Sequence, residues 1–579
     1  MKTSVVVFAL LLVCVFARDY KVYKTKDWTG HDVKHVDFTT VEDMMKTCDE
    51  TTDCIGFNTH GWLKKAGGSL TNEPAVDLYL LSSIYVPTGV EPELTLWPKP
   101  NNYKNGNSTI TIDMKNIELK INIESEDGEK AFERFKELLY VHSASDKKYL
   151  IHYISAEIVD AKCPLQQDVD ESYSLEIPED SDVITIHSQC IYGYYHALHT
   201  LSQLVQYKPS EHQYVIKHAP WSIQDKPFFS FRGVMIDSSR HFLPVKGIKS
   251  LIDNMSYYKL NVLHWHISDE QSFPMEIEGI DMFPSSFSAY ERYSLEDTEE
   301  VVEYARQRGI RVLPEIDVPG HAAIWCKSDP SICPSETCLT PLNPTNEHTF
   351  EVIELIIKSI VDRFPEAYFH IGGDEVDTGC WKNTPEIADW MKEKGYTIKD
   401  TYSYFVNRVY EIVKKYSRQA VYWEEVYNSG LNVPKDSIIE LWLGNKQHMK
   451  KVVESGYRGI FSNYYQWYLP QLWEHWELIY NANFIEGITD PEQLKMVLGG
   501  EVCMWGEKAD ISAVERVIWP RAAAAAERLW TNPELLNVEE ANGRIAYQRC
   551  LMNWRSIPAS PTYKDGRSDP SGPNSCFME

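Results

Sequence analysis

Eight short apolar runs recur through the second half of the chain, and their spacing restricts the fold more than any other feature. They are FRGVMID (231–237), LNVLHWHISD (260–269), IRVLPEID (310–317), AYFHIGGDE (367–375), QAVYWEEV (419–426), SIIELWL (437–443), GIFSNYY (459–465) and MVLGGEVCMW (496–505). Most are separated by segments with helical periodicity, such as KGIKSLIDNMSYYK, LEDTEEVVEYARQRG, NEHTFEVIELIIKSIVDRF and DTYSYFVNRVYEIVKKY. Strands buried on both faces and alternating with helices predict an α/β fold, a parallel sheet closed as a (β/α)8 TIM-type barrel. The interval between the fifth and sixth runs is short, so the helix there is expected to be reduced or missing. Such barrels carry their chemistry at the C-terminal ends of the strands. Asp237, Asp269, Asp317, Asp374, Glu375, Trp423, Glu424, Trp442, Tyr465 and Trp505 fall there.

The barrel is expected over residues 226–579, including a C-terminal segment. Residues 91–225 mix strand-like runs (STITIDMKNIELKI, SYSLEI, DVITIHS) with helix-like ones (GEKAFERFKELLYV, YGYYHALHTLSQLVQY), which predicts a smaller α+β domain before it. Residues 18–90 hold a Cys-bearing segment, CDETTDCIGFN, read as a disulfide-tied extension or a small Cys-paired binding module. Residues 1–17, MKTSVVVFALLLVCVFA, have the Lys, apolar run and small terminal residues of a secretory signal peptide, too short to span a bilayer as a mature helix. The expected location is therefore the secretory pathway: secreted, or a lysosome-like or granule lumen.

Of 12 cysteines, cleavage after Ala17 removes Cys14 and leaves 11, an odd number in an oxidising compartment. Cys48 with Cys54, one of Cys326, Cys333 or Cys338 with Cys380, and Cys550 with Cys576 are the expected pairs. Asn107 (NST) and Asn254 (NMS) match the glycosylation acceptor pattern, Asn254 within a helical stretch. The net charge of −27 excludes a phosphate-binding footprint, so no nucleic-acid partner is expected, and no membrane span. The 17 Trp and 34 Tyr suit a ligand with flat apolar faces, such as a sugar, and suit a large core equally.

Asp374 and Glu375 follow two glycines, which let the backbone bend out of the fourth strand. Neighbouring carboxyls at a barrel mouth push each other's proton affinities apart, so that one stays charged while the other keeps its proton. Glycosidic cleavage needs such a protonated carboxyl as general acid. In HWHISD, His264 and His266 point to one face of the second strand. An HxH pair also opens amidohydrolase-type metal sites, but these require further histidines on the fifth and sixth strands, and QAVYWEEV and SIIELWL have none. No metal and no cofactor are therefore expected. Asp317 and His321 in PEIDVPGH, with Asp269 on the neighbouring strand, form a candidate carboxylate–His network toward Glu375. Trp423, Trp442 and Trp505 end three different strands and converge as an aromatic box.

From about residue 91 onward these stretches, with YYKLNVLHWHISDEQSFP, FHIGGDEVDTGCW, GGEVCMWGE and WPRAAAAAERLW, resemble the β-N-acetylhexosaminidases of glycoside hydrolase family 20. The resemblance implies an exo-acting retaining enzyme that releases terminal β-linked GlcNAc or GalNAc by substrate assistance, the 2-acetamido oxygen attacking the anomeric carbon. It implies Glu375 as acid and then base, and Asp374 orienting the acetamide N–H. Tyr468 would bond the acetamide oxygen, and Trp423, Trp442 and Trp505 would enclose its methyl. Arg232 and Glu507 would hold ring hydroxyls, and Asp269 and His321 would support Glu375. The expected partner is a glycan ending in N-acetylhexosamine, with a homodimer as the assembly. After WYL the chain has Pro470 and Gln471, where two animal subunit types carry Asn-Arg or Asp-Leu, so neutral substrates are expected; extra residues before WYL make Tyr465 the alternative to Tyr468. The competing readings are a non-catalytic carbohydrate-binding barrel and a metal-dependent hydrolase.

Overall fold

The computed structural model describes residues 94–562, excepting 145–148, 445–446 and 472–474, together with short stretches between residues 20 and 81. The signal peptide and Cys576 lie outside the described residues; Cys550 is disulfide-bonded. Described residues up to Glu93 form one compact unit, which takes in Glu539–Tyr547, and Leu94–Val538 with Gln548–Thr562 form the other. In the first, helix Val41–Asp49 and a small antiparallel sheet share a core of Met44, Phe57 and Leu63 with the expected Cys48–Cys54 disulfide.

The second unit begins with an α+β region whose seven strands run from Asn102–Ile112 to Gln213–Asp225. Alternate residues of Tyr153–Asp160 and Val183–Cys190 are buried, as the two-residue period of a half-buried strand requires. Helix Ile191–Leu204 is buried on almost every side, because it packs on this sheet and on the barrel helix Val245–Tyr257. An all-round apolar helix needs two such neighbours. Disulfide Cys163–Cys190, absent from the expected pairs, ties this sheet to its own loop. Asn107 is exposed on its strand, whereas Asn254 is buried, which removes it as a glycan acceptor.

The barrel strands are β1 (Phe231–Asp237), β2 (Val262–Ser268), β3 (Arg311–Ile316), β4 (Tyr368–His370), β5 (Gln419–Trp423), β6 (Ile438–Leu441), β7 (Arg458–Phe461) and β8 (Val497–Met504). Each pairs in parallel with the next, and β8 closes on β1. Between β5 and β6 the only helix is the four-residue Glu425–Asn428, in line with the short interval. Among the described residues no helix is long and apolar enough to cross a membrane.

One inward residue from every strand builds the barrel floor: Phe231, Val262, Leu313, Tyr368, Val421, Ile438, Ile460 and Leu498. Two residues further along the strands, or three in β8, the interior turns polar. His264, Glu315, His370, Glu440 and Glu501 are all fully buried there. Gly233 in β1 makes room for them, since a Cβ on it would sit 2.5 Å from Glu501 Oε2. Third along the strands comes the mouth.

Arg232 is the second residue of β1 and so lies at the opposite, N-terminal end of the barrel. It is fully buried, donating to both oxygens of Glu171 (2.6 and 3.0 Å) and to the carbonyls of Lys259 and Phe229. The expectation that it holds sugar hydroxyls is corrected: it fastens the α+β region to the barrel. Burial alone would raise Glu171, but the Arg232 guanidinium and His196 outweigh it and bring the carboxyl from 4.5 down to about 2. Arg232→Met should therefore leave an uncompensated buried carboxylate and cost about 3–5 kcal/mol in denaturant unfolding, with KM of the folded enzyme unchanged. Because the folded pKa is depressed, the pair's contribution is present above pH 4.5 and is lost as pH falls toward 2.

Candidate active site

The mouth is organised by the turn that follows β4. Gly372 and Gly373 have φ of 72° and 89°, and Glu375 itself has φ of 44°. Only glycine fits at 372, where a Cβ would fall 2.0 Å from Asp317 Oδ1; the same oxygen accepts the Gly373 N–H at 2.9 Å. The two glycines thus wrap the chain around the Asp317 carboxylate and project Asp374 inward and Glu375 outward. Asp374 is buried, while the Glu375 side chain is 60% exposed.

Three carboxylates surround His321. Its Nδ1 is 3.2 Å from Asp269 Oδ1, and its Nε2 faces Glu375 Oε2 at 3.5 Å and Asp374 Oδ2 at 3.6 Å. Burial would discharge the ring, but Asp317, Asp269, Glu375 and Asp374 together raise it far above the usual His range, so His321 is an imidazolium. That cation holds Glu375 below the ordinary carboxylate value, with partial burial opposing it. Asp317 is raised far above the carboxylate range, first by burial and then by the Asp374 charge. Asp374 Oδ1 is buried with no hydrogen-bond partner among the described residues.

The aromatic residues do meet. Trp442 stacks on Tyr468 with ring centres 5.9 Å apart and planes 7° from parallel, and Trp505 lies 5.9 Å from both Tyr468 and Trp423. Tyr468 is pinned because its neighbour Leu469 donates to the Cys503 carbonyl of β8, whereas Tyr465, one turn earlier, is 67% exposed. Of the two tyrosines, Tyr468 is the one whose ring packs against Trp442 and Trp505. Trp423 Nε1 donates to Glu315 at 2.9 Å and Trp442 Nε1 to Glu425 at 2.8 Å. Burial and the Asp374 charge push Glu425 up to about 8, so it is largely protonated at neutral pH.

Two residues escaped the sequence reading. Glu425 is one. Arg240 is the other: it bonds Asp269 at 2.6 Å and Asp237 at 2.8 Å, and lies 5.0 Å over the Trp505 ring. With Asp269, His321 and Glu375 it lines a cavity of about 220 Å³. Its signal was position: SSRHF follows the C-terminal end of β1, where barrel chemistry is found. Glu507 is exposed and its charge acts on Arg240.

The interior histidines and carboxylates come within 4.8 Å of one another in the groups His264–Glu315–His370 and His264–Glu440–Glu501, as do Asp317, His321 and Asp374 at the mouth. Their donors and acceptors face each other: His264 Nδ1 is 2.6 Å from Glu501 Oε1 and His266 Nδ1 is 2.6 Å from Glu315 Oε2. Both oxygens of Glu440 and Oε2 of Glu501 have no hydrogen-bond partner among the described residues. Disulfides Cys326–Cys333 and Cys338–Cys380 brace the loops beyond β3 and β4, and among the described residues Cys503 is the free thiol, buried under the aromatic box.

Comparison with known proteins agrees with this architecture. The profile described as glycosyl hydrolase family 20, catalytic domain, matches residues 229–533, and one described as beta-acetyl hexosaminidase like matches 96–204. The chain is 39% identical over 533 residues to Beta-hexosaminidase 1 of Arabidopsis thaliana, covering 87% of this chain and 98% of the relative. It is 34% identical to the Beta-hexosaminidase subunit alpha of Mus musculus, covering 80% and 93%. Among solved structures, the Flavobacterium johnsoniae chitobiase superposes with a TM-score of 0.71 at 27% identity, over 80% of this chain and 73% of that one. The Vibrio harveyi GH20 exo beta-N-acetylglucosaminidase, at 22% identity and a TM-score of 0.72 over 88% and 92%, shares the fold. A closed parallel barrel, a paired carboxylate on the turn after its fourth strand and a matching profile across both regions place the chain in glycosyl hydrolase family 20, and it is a glycoside hydrolase.

Proposed function

We propose that this enzyme is an exo-acting, retaining β-N-acetylhexosaminidase that removes terminal β-linked GlcNAc or GalNAc with the substrate's own acetamide as nucleophile. One observation carries the mechanism: Asp374 is buried beside the aromatic box with Oδ1 unpaired, next to an exposed Glu375. A carboxylate so placed suits an acetamide N–H, whose positive charge grows as the carbonyl oxygen attacks. Trp423, Trp442 and Trp505 would close on the methyl, and the Tyr468 hydroxyl would hold the oxygen for in-line attack. Arg240 and Glu507 take the ring hydroxyls. A sugar covering Glu375 would strip its water, and burial is the influence that raises this carboxyl toward the proton-holding form. Asp269 keeps His321 oriented toward it, so that the same group can donate and later accept a proton.

The names of the relatives support the substrate class, and the disulfides support a lumenal or extracellular location. Pro470 and Gln471 after WYL favour neutral glycans, and a homodimer, testable by light scattering, is the proposed assembly. The deciding experiment is chromophore release from aryl β-GlcNAc and aryl β-GalNAc, with and without a chelator. Release of both, undiminished by chelation, is expected; loss on chelation would favour a metal hydrolase, and no release would favour a binding protein.

A further inference from the structure

The HWHISD motif has a second histidine that the roles above leave unused. His266 is fully buried in β2 between two carboxylates on different strands. Its Nε2 is 2.9 Å from Asp269 Oδ2 and its Nδ1 is 2.6 Å from Glu315 Oε2. Asp269 turns its other oxygen to His321, which faces Glu375; Glu315 turns its other oxygen to the Trp423 indole N–H at 2.9 Å. A series of hydrogen bonds, His321, Asp269, His266, Glu315, Trp423, therefore crosses the barrel to the opposite wall, and a 3.5 Å ion pair joins His321 to the exposed Glu375.

Building on the proposed function, we propose that His266 is a positioning residue, an imidazolium that clamps Asp269 and Glu315 and so holds the acid's support and the acetamide wall in one register. The charge state follows from geometry, since both ring nitrogens face carboxylate oxygens and only a doubly protonated ring can donate to both. Although burial opposes it, Glu315 and Asp269 hold the ring's pKa up at about 9. The other charged groups here act through those partners: Arg240 lies 2.6 Å from Asp269, and His264 and His370 approach Glu315 to 3.0 and 3.1 Å. The remaining close neighbour, Trp505, meets the ring edge-on at 5.0 Å. Without the clamp Asp269 could turn fully to Arg240 and release His321. Trp423 would lose the carboxylate that orients its indole.

The test uses His266→Gln and Glu315→Gln in the full chain, on an unactivated GlcNAc disaccharide and on an aryl glycoside with a good leaving group. Expected is a fall in kcat of about 10- to 100-fold on the disaccharide, as for other partners one shell behind a reacting group, with KM changing by less than about threefold. The loss on the aryl glycoside should be clearly smaller, because that leaving group needs little protonation. The double variant should be no worse than the worse single one, since a broken series cannot be broken twice. Equal losses on both substrates, or losses that multiply in the double variant, would reduce His266 to a packing residue and overturn the proposal. Should the variants not fold, ring-nitrogen NMR of the unaltered enzyme decides: two N–H signals from His266 at pH 7 are expected, and one signal overturns it. An inactive unaltered enzyme that shows both signals would overturn the hexosaminidase reading while leaving the clamp standing.

Discussion

Replacing Glu375 with Gln is expected to lower kcat on an unactivated β-GlcNAc disaccharide by about 10² to 10⁴, the range that general acid–base catalysis supplies. The amide is nearly isosteric, and the side chain is more than half exposed, so the fold should survive; thermal unfolding checks this. Gln can accept from His321 but cannot release a proton to a departing sugar oxygen. Aryl glycosides with good leaving groups should therefore lose less in the step that expels the leaving group. The alkaline limb of the pH–rate profile, which reports the acid's proton, should vanish from what remains. Near-normal turnover of the disaccharide would remove Glu375 from the mechanism.

Asp374→Ala should cost about 10² to 10³ in kcat, the scale of losing one preorganised partner of a developing charge, and should separate two mechanisms. If Asp374 were a covalent nucleophile, azide could enter the vacated space and restore turnover, giving a glycosyl azide of inverted configuration. If the acetamide is the nucleophile, azide has nothing to replace and no such adduct forms. A thiazoline mimic of the cyclised intermediate should bind the unaltered enzyme far more tightly than the free sugar, as a transition-state-like compound does. Asp374→Ala should abolish that advantage, because the unpaired Oδ1 is the partner available to the ring nitrogen. Efficient cleavage of plain β-glucosides, or recovery of the inverted azide, would refute substrate assistance while leaving the family untouched.

Individual residues show how far the sequence could be read. HWHISD and PEIDVPGH led directly to Asp269 and His321, because a strand's end and its two-residue period assign an address and a direction together. Arg232, implied by the resemblance alone, and Arg240 show what that strand-end rule distinguishes. They stand eight positions apart at opposite ends of one strand, and only the second is at the mouth. Tyr465 and Tyr468 lie three residues apart in WYL and its approach, and no local pattern distinguishes them; the bridge from Tyr468 to Cys503 does. Cys163–Cys190 links residues on a loop and a strand whose proximity the spacing did not announce.

What the sequence determined by itself was the barrel, its order of strands and part of the set of side chains at its mouth. Burial of a parallel strand on both faces is written as a continuous apolar run, and that is a property of neighbouring residues. What only the tertiary structure decided was who meets whom and who holds a proton. His264 pairs with Glu501 across 237 positions, Trp423 with Glu315 across 108, and Asp317 with Asp374 across the turn of two glycines. Proton affinity depends on the charges and the water around a group, and in this chain both are set by residues far apart in sequence that the barrel brings together.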